Sequence, residues 1–369
     1  MLRALSALLL LSTAPALAQE TGVQAETVAD GLDHPWSLAF LPEGGMLVTE
    51  RAGRLRLIRA GQLVEDPVTG VPDVFNERQA GLLDVVLHPD FESNRFVYLS
   101  FSQGNTVLNR TAIARGRLNA DATALEGTEI IFQAQATKPG GAHYGGRILF
   151  TTDGMLLLTI GEGFIRPQQA QNPDNHFGTI VRLTEDGEPA PGNPFADGEE
   201  GDAAVWSYGH RNPQGIAIEP VSGDVWAHEH GPRGGDEINR VVAGSNYGWP
   251  ERSNGTHYDG GDISDHAEGD GFEHPLLHWT PSIAPSGMAF YQGAEFPGWQ
   301  GDLFVGALAG AHLRRVDLED GIIVGQEALL DELGVRIRDV RTGPDGGLYI
   351  VTDEPEPGGA VMRIVPANR

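Results

Sequence analysis

No cysteine occurs among the 369 residues, so disulfides contribute nothing to stability and no CxxCH haem attachment exists. Basic side chains are scarce: 25 Lys and Arg stand against 51 Asp and Glu, giving a net charge of −26. A phosphate backbone would be repelled, which argues against nucleic acid as a partner. Walker loop, dinucleotide fingerprint and nucleophile elbow are all missing. One long apolar run exists, near the start, and it is shorter than the ~18 residues that a membrane span requires.

That run sits in MLRALSALLLLSTAPALAQE, which has an early charge at Arg3 and the small-x-small triplet Ala16-Leu17-Ala18. The pattern predicts a signal peptide over residues 1–18, cleaved after Ala18, and a single domain over residues 19–369. Export without cysteine suits a bacterial periplasm.

What the sequence has in abundance is turns. Glycine numbers 50 and proline 24, which excludes a protein of long helices, while 40% hydrophobic and 21% charged residues exclude disorder. Six segments repeat one theme of an alternating apolar run, a Gly/Asp/Asn/Glu turn and a second apolar run. With Leu38, Val85, Ile148, Ile216, Met288 and Val340 as equivalent anchors, the spacings run from 47 to 72 residues. Four short strands with their loops fill such a period. A solenoid or a pair of β-sandwiches would show equally good hairpins. Solenoid repeats are usually shorter, however, and no linker divides the chain, so the pattern predicts an all-β, six-bladed β-propeller. Residues 186–202 and 251–275 read as long polar loops.

In a propeller, residues just before each anchor enter the innermost strand and meet at one channel mouth. Those positions hold Gln79, His143, Arg211, Asn212, Arg336 and Arg338. His143 and Glu162 lie symmetrically about the Asp153-Gly154 turn, so they should be cross-strand neighbours; the same construction sets Gly231 and Pro232 opposite Arg211. A carboxylate beside His143 would make it a general base. Each arginine alone would ordinarily pair with an acid, but three converging arginines point to a ligand with several negative charges. His228 and His230 share one strand face without thereby making a metal site. His34 and His88 read as turn or packing residues, and the six tryptophans as core between blades.

The ordered motifs ERQAGLLDVVLHPDF, HYGGRI, TIGEG, GHRNPQG, HEHGPRGGDEIN, GSNYGWP, PSIAPSGMAFY and RIRDVRTGPDG resemble the glucose/sorbosone dehydrogenase family, the soluble quinoprotein aldose sugar dehydrogenases. The resemblance spans nearly all the mature chain. It implies a six-bladed propeller holding pyrroloquinoline quinone (PQQ) with a calcium ion. It assigns His143 as base and Glu162 as the carboxylate orienting it. Gln79, Arg211, Asn212, Arg336 and Arg338 become quinone contacts, and the carbonyls of Gly231 and Pro232 calcium ligands. Glu237 and Tyr247 resemble a second calcium site. The reaction implied is oxidation of an aldose sugar at the anomeric carbon, and the electrons leave to a separate acceptor, a quinone or cytochrome. The family commonly carries a lysine in the segment written here GALAGAHL, where Ala309 stands. Trp279 or His278 is expected to stack on the quinone. Two other functions suit the same shape: a metal-dependent sugar lactonase of the gluconolactonase type, and a non-catalytic propeller that docks a protein.

Overall fold

The computed structural model describes residues 22–367; the expected signal peptide lies outside them. Among the described residues, no helix is long and apolar enough to cross a membrane. Among the described residues, six four-stranded antiparallel sheets, each led by one inner strand, are accompanied by one two-stranded sheet that pairs Arg233–Gly234 with Gly255–Thr256. The inner strands are Pro35–Phe40, Leu82–Leu87, Ile148–Phe150, Pro213–Ile218, Pro285–Phe290 and Ile337–Thr342, and we number blades 1 to 6 in that order. Every anchor lies on its inner strand, buried and paired with an apolar residue of the second strand, as in Leu38↔Val48 and Val340↔Ile350. The fold is a six-bladed propeller.

Blade 6 departs from the simple repeat. Its outer strand comes from the other end of the chain: Val23–Leu32 pairs with Gly359–Pro366, from Val23↔Pro366 to Leu32↔Gly359. The ring is thereby closed by hydrogen bonds between the two ends, and blade 6 gains its fourth strand.

Apolar residues fill the seams between blades. One cluster joins Leu47, Leu55 and Leu57 of blade 1 to Val85, Leu99 and Phe101 of blade 2, and a comparable cluster occupies each of the other five seams. Alternation along each strand therefore serves two neighbours, one face per seam, which is why so many strands are buried throughout.

The inner strands bring charge to the axis. Arg147 reaches Asp339 at 2.9 Å and Asp84 at 3.5 Å, while Arg341 reaches the same two carboxylates at 2.8 and 2.9 Å. Asp84 also accepts the backbone N–H of Ile148, and Asp339 that of Leu38. Two cations and two anions thus cancel and lock blades 1, 2, 3 and 6 together.

Candidate active site

Chain segments entering and leaving the inner strands build one mouth. His143 precedes the inner strand of blade 3 in a left-handed backbone conformation, φ 52°, and its N–H donates to Gln79 Oε1 at 2.8 Å. Its Nδ1 stands 2.9 Å from Glu162 Oε1, with both side chains buried. The neighbour Gly161 admits no side chain. A Cβ there would lie 2.6 Å from the His143 carbonyl and 2.7 Å from Asn212 Oδ1. Asn212 in turn accepts the Gly145 N–H at 3.1 Å, so blades 2, 3 and 4 are tied at this point.

Beside them opens a cavity of about 270 Å³. Gln79, Asn212, Arg336 and Arg338 line it, as the repeat predicted, and Trp36, Arg51, Tyr144, His230, Ala284 and Leu308 join them. Arg336 and Arg338 share the buried carboxylate of Asp353 at 3.2 and 2.8 Å. Among the described residues, Arg211 has no acidic partner for its guanidinium. It donates to the carbonyls of His230 and Gly231 and to the Tyr258 hydroxyl, and its Cζ lies 5.1 Å from the Trp249 ring. The pairing of each arginine with its own acid therefore fails at Arg211.

Burial lowers the His143 pKa, against the hydrogen bond that its Nδ1–H donates to Glu162, and Arg211 and Lys138 push the same way as burial. The imidazole is neutral near pH 7, with Glu162 holding Nδ1–H and leaving Nε2 free to accept a proton. His230 is pushed down to about 3, chiefly by burial, while its Nε2 meets the Pro285 carbonyl at 2.7 Å. Over this mouth stand two aromatic rings, one from the segment after the strand Leu156–Ile160 and one from the loop over residues 251–275. Phe164 meets His143 edge-on at 5.0 Å, and Tyr258 lies 6.1 Å from Phe164.

Gly231, Glu237 and Tyr247 line a neighbouring narrow pocket together with Arg211 and Glu229. Gly231 is required there, since a Cβ would lie 2.2 Å from the Gly234 carbonyl. Pro232 belongs instead to the wider cleft formed with Arg233, Tyr258 and Thr280. Burial drives the Glu237 pKa well up, and the nearby Glu229 adds to it.

Several residues stand elsewhere than the sequence suggested. Neither Trp279 nor His278 reaches the cavity: Trp279 packs in the seam between blades 4 and 5 and donates Nε1–H to Gln326, and His278 is exposed on the same outer strand. Leu308 and Ala284 form that wall instead. His228 is fully buried, whereas His230, discounted above, faces the cavity. His34 bonds Asp353 at 3.2 Å. Ala309 is exposed, one residue beyond Leu308.

The model of the glucose/sorbosone dehydrogenase family matches residues 32–363. This chain belongs to that family. It is 44% identical to the aldose sugar dehydrogenase YliI of Escherichia coli, over 94% of each chain. It is 27% identical to quinoprotein glucose dehydrogenase B of Acinetobacter calcoaceticus, covering 92% of this chain and 87% of that one. The PQQ-bound aldose sugar dehydrogenase of Streptomyces coelicolor superposes with a TM-score of 0.78 at 31% identity, covering 93% of this chain and 98% of that one.

For a glucose/sorbosone dehydrogenase family member, the donor sets are informative in themselves. Among the described residues, Arg211 Nε and Arg338 Nε are buried without hydrogen-bond partners, and the Arg51 guanidinium, on the cavity wall, makes no hydrogen bond. Such groups fit an anionic ligand that supplies the missing acceptors. Two buried carboxylates, Glu229 and Glu237, beside the Gly231 carbonyl fit a hard cation.

Proposed function

We propose that this protein is a PQQ- and calcium-dependent aldose sugar dehydrogenase of the periplasm, oxidising the anomeric carbon to the lactone. The observation that supports this reading is that Arg51, Arg336 and Arg338 line one cavity with His230, while Arg211 of the adjoining pocket and His143 of the His143–Glu162 pair act electrostatically on the same His230. Gln79, Asn212, Arg211, Arg336 and Arg338 would hold the quinone and its carboxylates. The carbonyls of Gly231 and Pro232 would hold its calcium, and Glu237 with the Tyr247 carbonyl a second one. When bound, the quinone with its calcium supplies the two-electron acceptor that takes hydride from the sugar carbon.

The chain's own part is proton chemistry and positioning. His143 Nε2 accepts the anomeric hydroxyl proton as the C=O bond of the lactone forms. Glu162 stabilises the resulting imidazolium and fixes the ring through Nδ1. Phe164 and Tyr258 offer apolar faces at the rim for a sugar ring. The electrons then pass to a separate acceptor.

Purified protein supplied with PQQ and calcium should reduce an artificial dye when given aldoses, and the His143→Ala variant should lose that activity by about 10²–10⁴-fold. Dye reduction no greater than that of His143→Ala overturns the reading.

A further inference from the structure

The loop over residues 251–275 carries His266, Asp270 and His274, four residues apart, and their ligand atoms all lie within 4.8 Å of one another. His274 Nε2 is 3.3 Å from Asp270 Oδ1, and the two imidazole rings are 5.4 Å apart between centroids. The His266 side chain is only 4% exposed, yet among the described residues neither of its ring nitrogens has a hydrogen-bond partner. A buried imidazole left bare in this way is unfavourable. Its nearest charged neighbour is Glu237, whose Oε1 stands 3.7 Å from Nε2, too far for a hydrogen bond.

The carboxylate of the trio is held firmly. Asp270 Oδ2 accepts from Arg252 Nε at 3.2 Å and from the Ala267 N–H at 3.0 Å, and Oδ1 accepts from the Phe272 N–H at 3.0 Å. Oδ1 therefore stays aimed at His274. Two imidazoles and one carboxylate form a donor set for zinc-class divalent ions; calcium prefers oxygen alone. Ligands at about 2.0–2.2 Å from a tetrahedral ion lie roughly 3.3 Å from one another. The His274–Asp270 separation already meets this, and His266 needs only a small closure of the loop.

We propose that His266, Asp270 and His274 bind one zinc-class divalent cation, with Glu237 backing the His266 ring from the blade. Its imidazole donors set this site apart from either calcium site, although Glu237, assigned above to the second of those, lies beside His266, and the site does not depend on the dehydrogenase reading. An ion there closes the His266–His274 stretch on itself beside Glu237 of the strand Asp236–Arg240, and so steadies the loop that carries Tyr258.

The test uses untagged full-length protein, stripped with chelator and titrated with Co²⁺ and then Zn²⁺ in excess Ca²⁺. Calorimetry and cobalt visible absorption are the readouts. One ion per chain is expected, with zinc displacing cobalt and raising the melting temperature. His274→Gln, at a 41% exposed side chain that folding tolerates, should weaken binding by about tenfold or more, as should Asp270→Asn. The proposal is overturned by no binding at roughly micromolar to millimolar Zn²⁺. It is equally overturned by unchanged affinity in His274→Gln, which would assign the ion to other histidines.

Discussion

Asp353 Oδ2 accepts a hydrogen bond of 2.8 Å from Arg338 and one of 3.2 Å from Arg336, joining two cavity arginines through a single buried carboxylate. Burial works against its charge, but Arg338, Arg336 and Arg51 together hold its carboxyl well below the usual range. Asp353→Asn would leave these cations without their common partner. A loss of about 3 kcal/mol is expected, since a broken buried pair strands its remaining charge; the half-exposed Arg336 contributes least. A carboxylate with a depressed folded-state pKa adds stability above its unfolded pKa, and this is lost as the pH falls through the folded value. Urea unfolding at pH 7 and below about pH 4 should therefore show a large gap between wild type and variant that narrows in acid. An unchanged midpoint at pH 7 would contradict this account.

The His143–Glu162 pair makes a second expectation, in pH. Burial sets the His143 pKa below its ordinary value while Glu162 raises it. The acid limb of kcat/KM should accordingly lie below about pH 6.5. Removing the carboxylate in Glu162→Gln takes away the raising partner, so the limb should move further into acid even as kcat falls. A limb that stays in place, or moves to higher pH, would show that Glu162 acts on something other than this imidazole.

Lys138 introduces a linkage of opposite chemistry. Burial pushes its ammonium down to about 7, only partly offset by Glu162, and its Nζ rests 3.7 Å above the Tyr144 ring. Between about pH 7 and its unfolded pKa of about 10.4, the unfolded chain binds more protons, so this residue makes stability rise with pH across that window. Below pH 7 the penalty is complete. Lys138→Met should stabilise the protein at pH 6.5, and its advantage should shrink towards pH 10. Parallel pH dependence of the two urea midpoints would dispose of the idea.

The repeat was legible because each blade writes its own hairpin locally. The six anchors fall on the six inner strands for that reason. Closure of the ring was not legible: nothing about Val23–Leu32 marks a partner more than 300 residues away. The same contrast holds at the mouth. Residues leading into the inner strands could be read from the anchors: Gln79, Asn212, Arg336 and Arg338 line one cavity, and Arg211 lines the pocket beside it. Residues just past the second strands lie at the same level: Arg51 follows Met46–Glu50, His230 follows Val225–Glu229, Leu308 follows Leu303–Ala307 and Asp353 follows Leu348–Thr352. Hairpin symmetry extended to blades 1, 5 and 6 points to Arg51, Leu308 and Asp353. Trp279 is different in kind, because the Gln326 Oε1 that satisfies its indole comes from the next blade and leaves no trace in the local sequence.

Arg51 therefore offers the sharpest remaining test of the cavity. Burial pulls its pKa down and Asp353 opposes this, while Arg338 and Arg336 add to the lowering. Its guanidinium makes no hydrogen bond among the described residues. A cation held half-buried beside two others, without an acceptor of its own, is an unfavourable arrangement that a bound carboxylate would relieve. Arg51→Gln removes the repulsion in the empty protein, so the ligand-free variant should be no less stable than wild type. It also removes one charge-assisted hydrogen bond, about 1.5–3 kcal/mol, so PQQ should bind about 10- to 100-fold more weakly. Equilibrium titration of PQQ by absorbance or fluorescence measures this without turnover. Equal affinity for wild type and variant would mean that Arg51 faces solvent rather than the ligand.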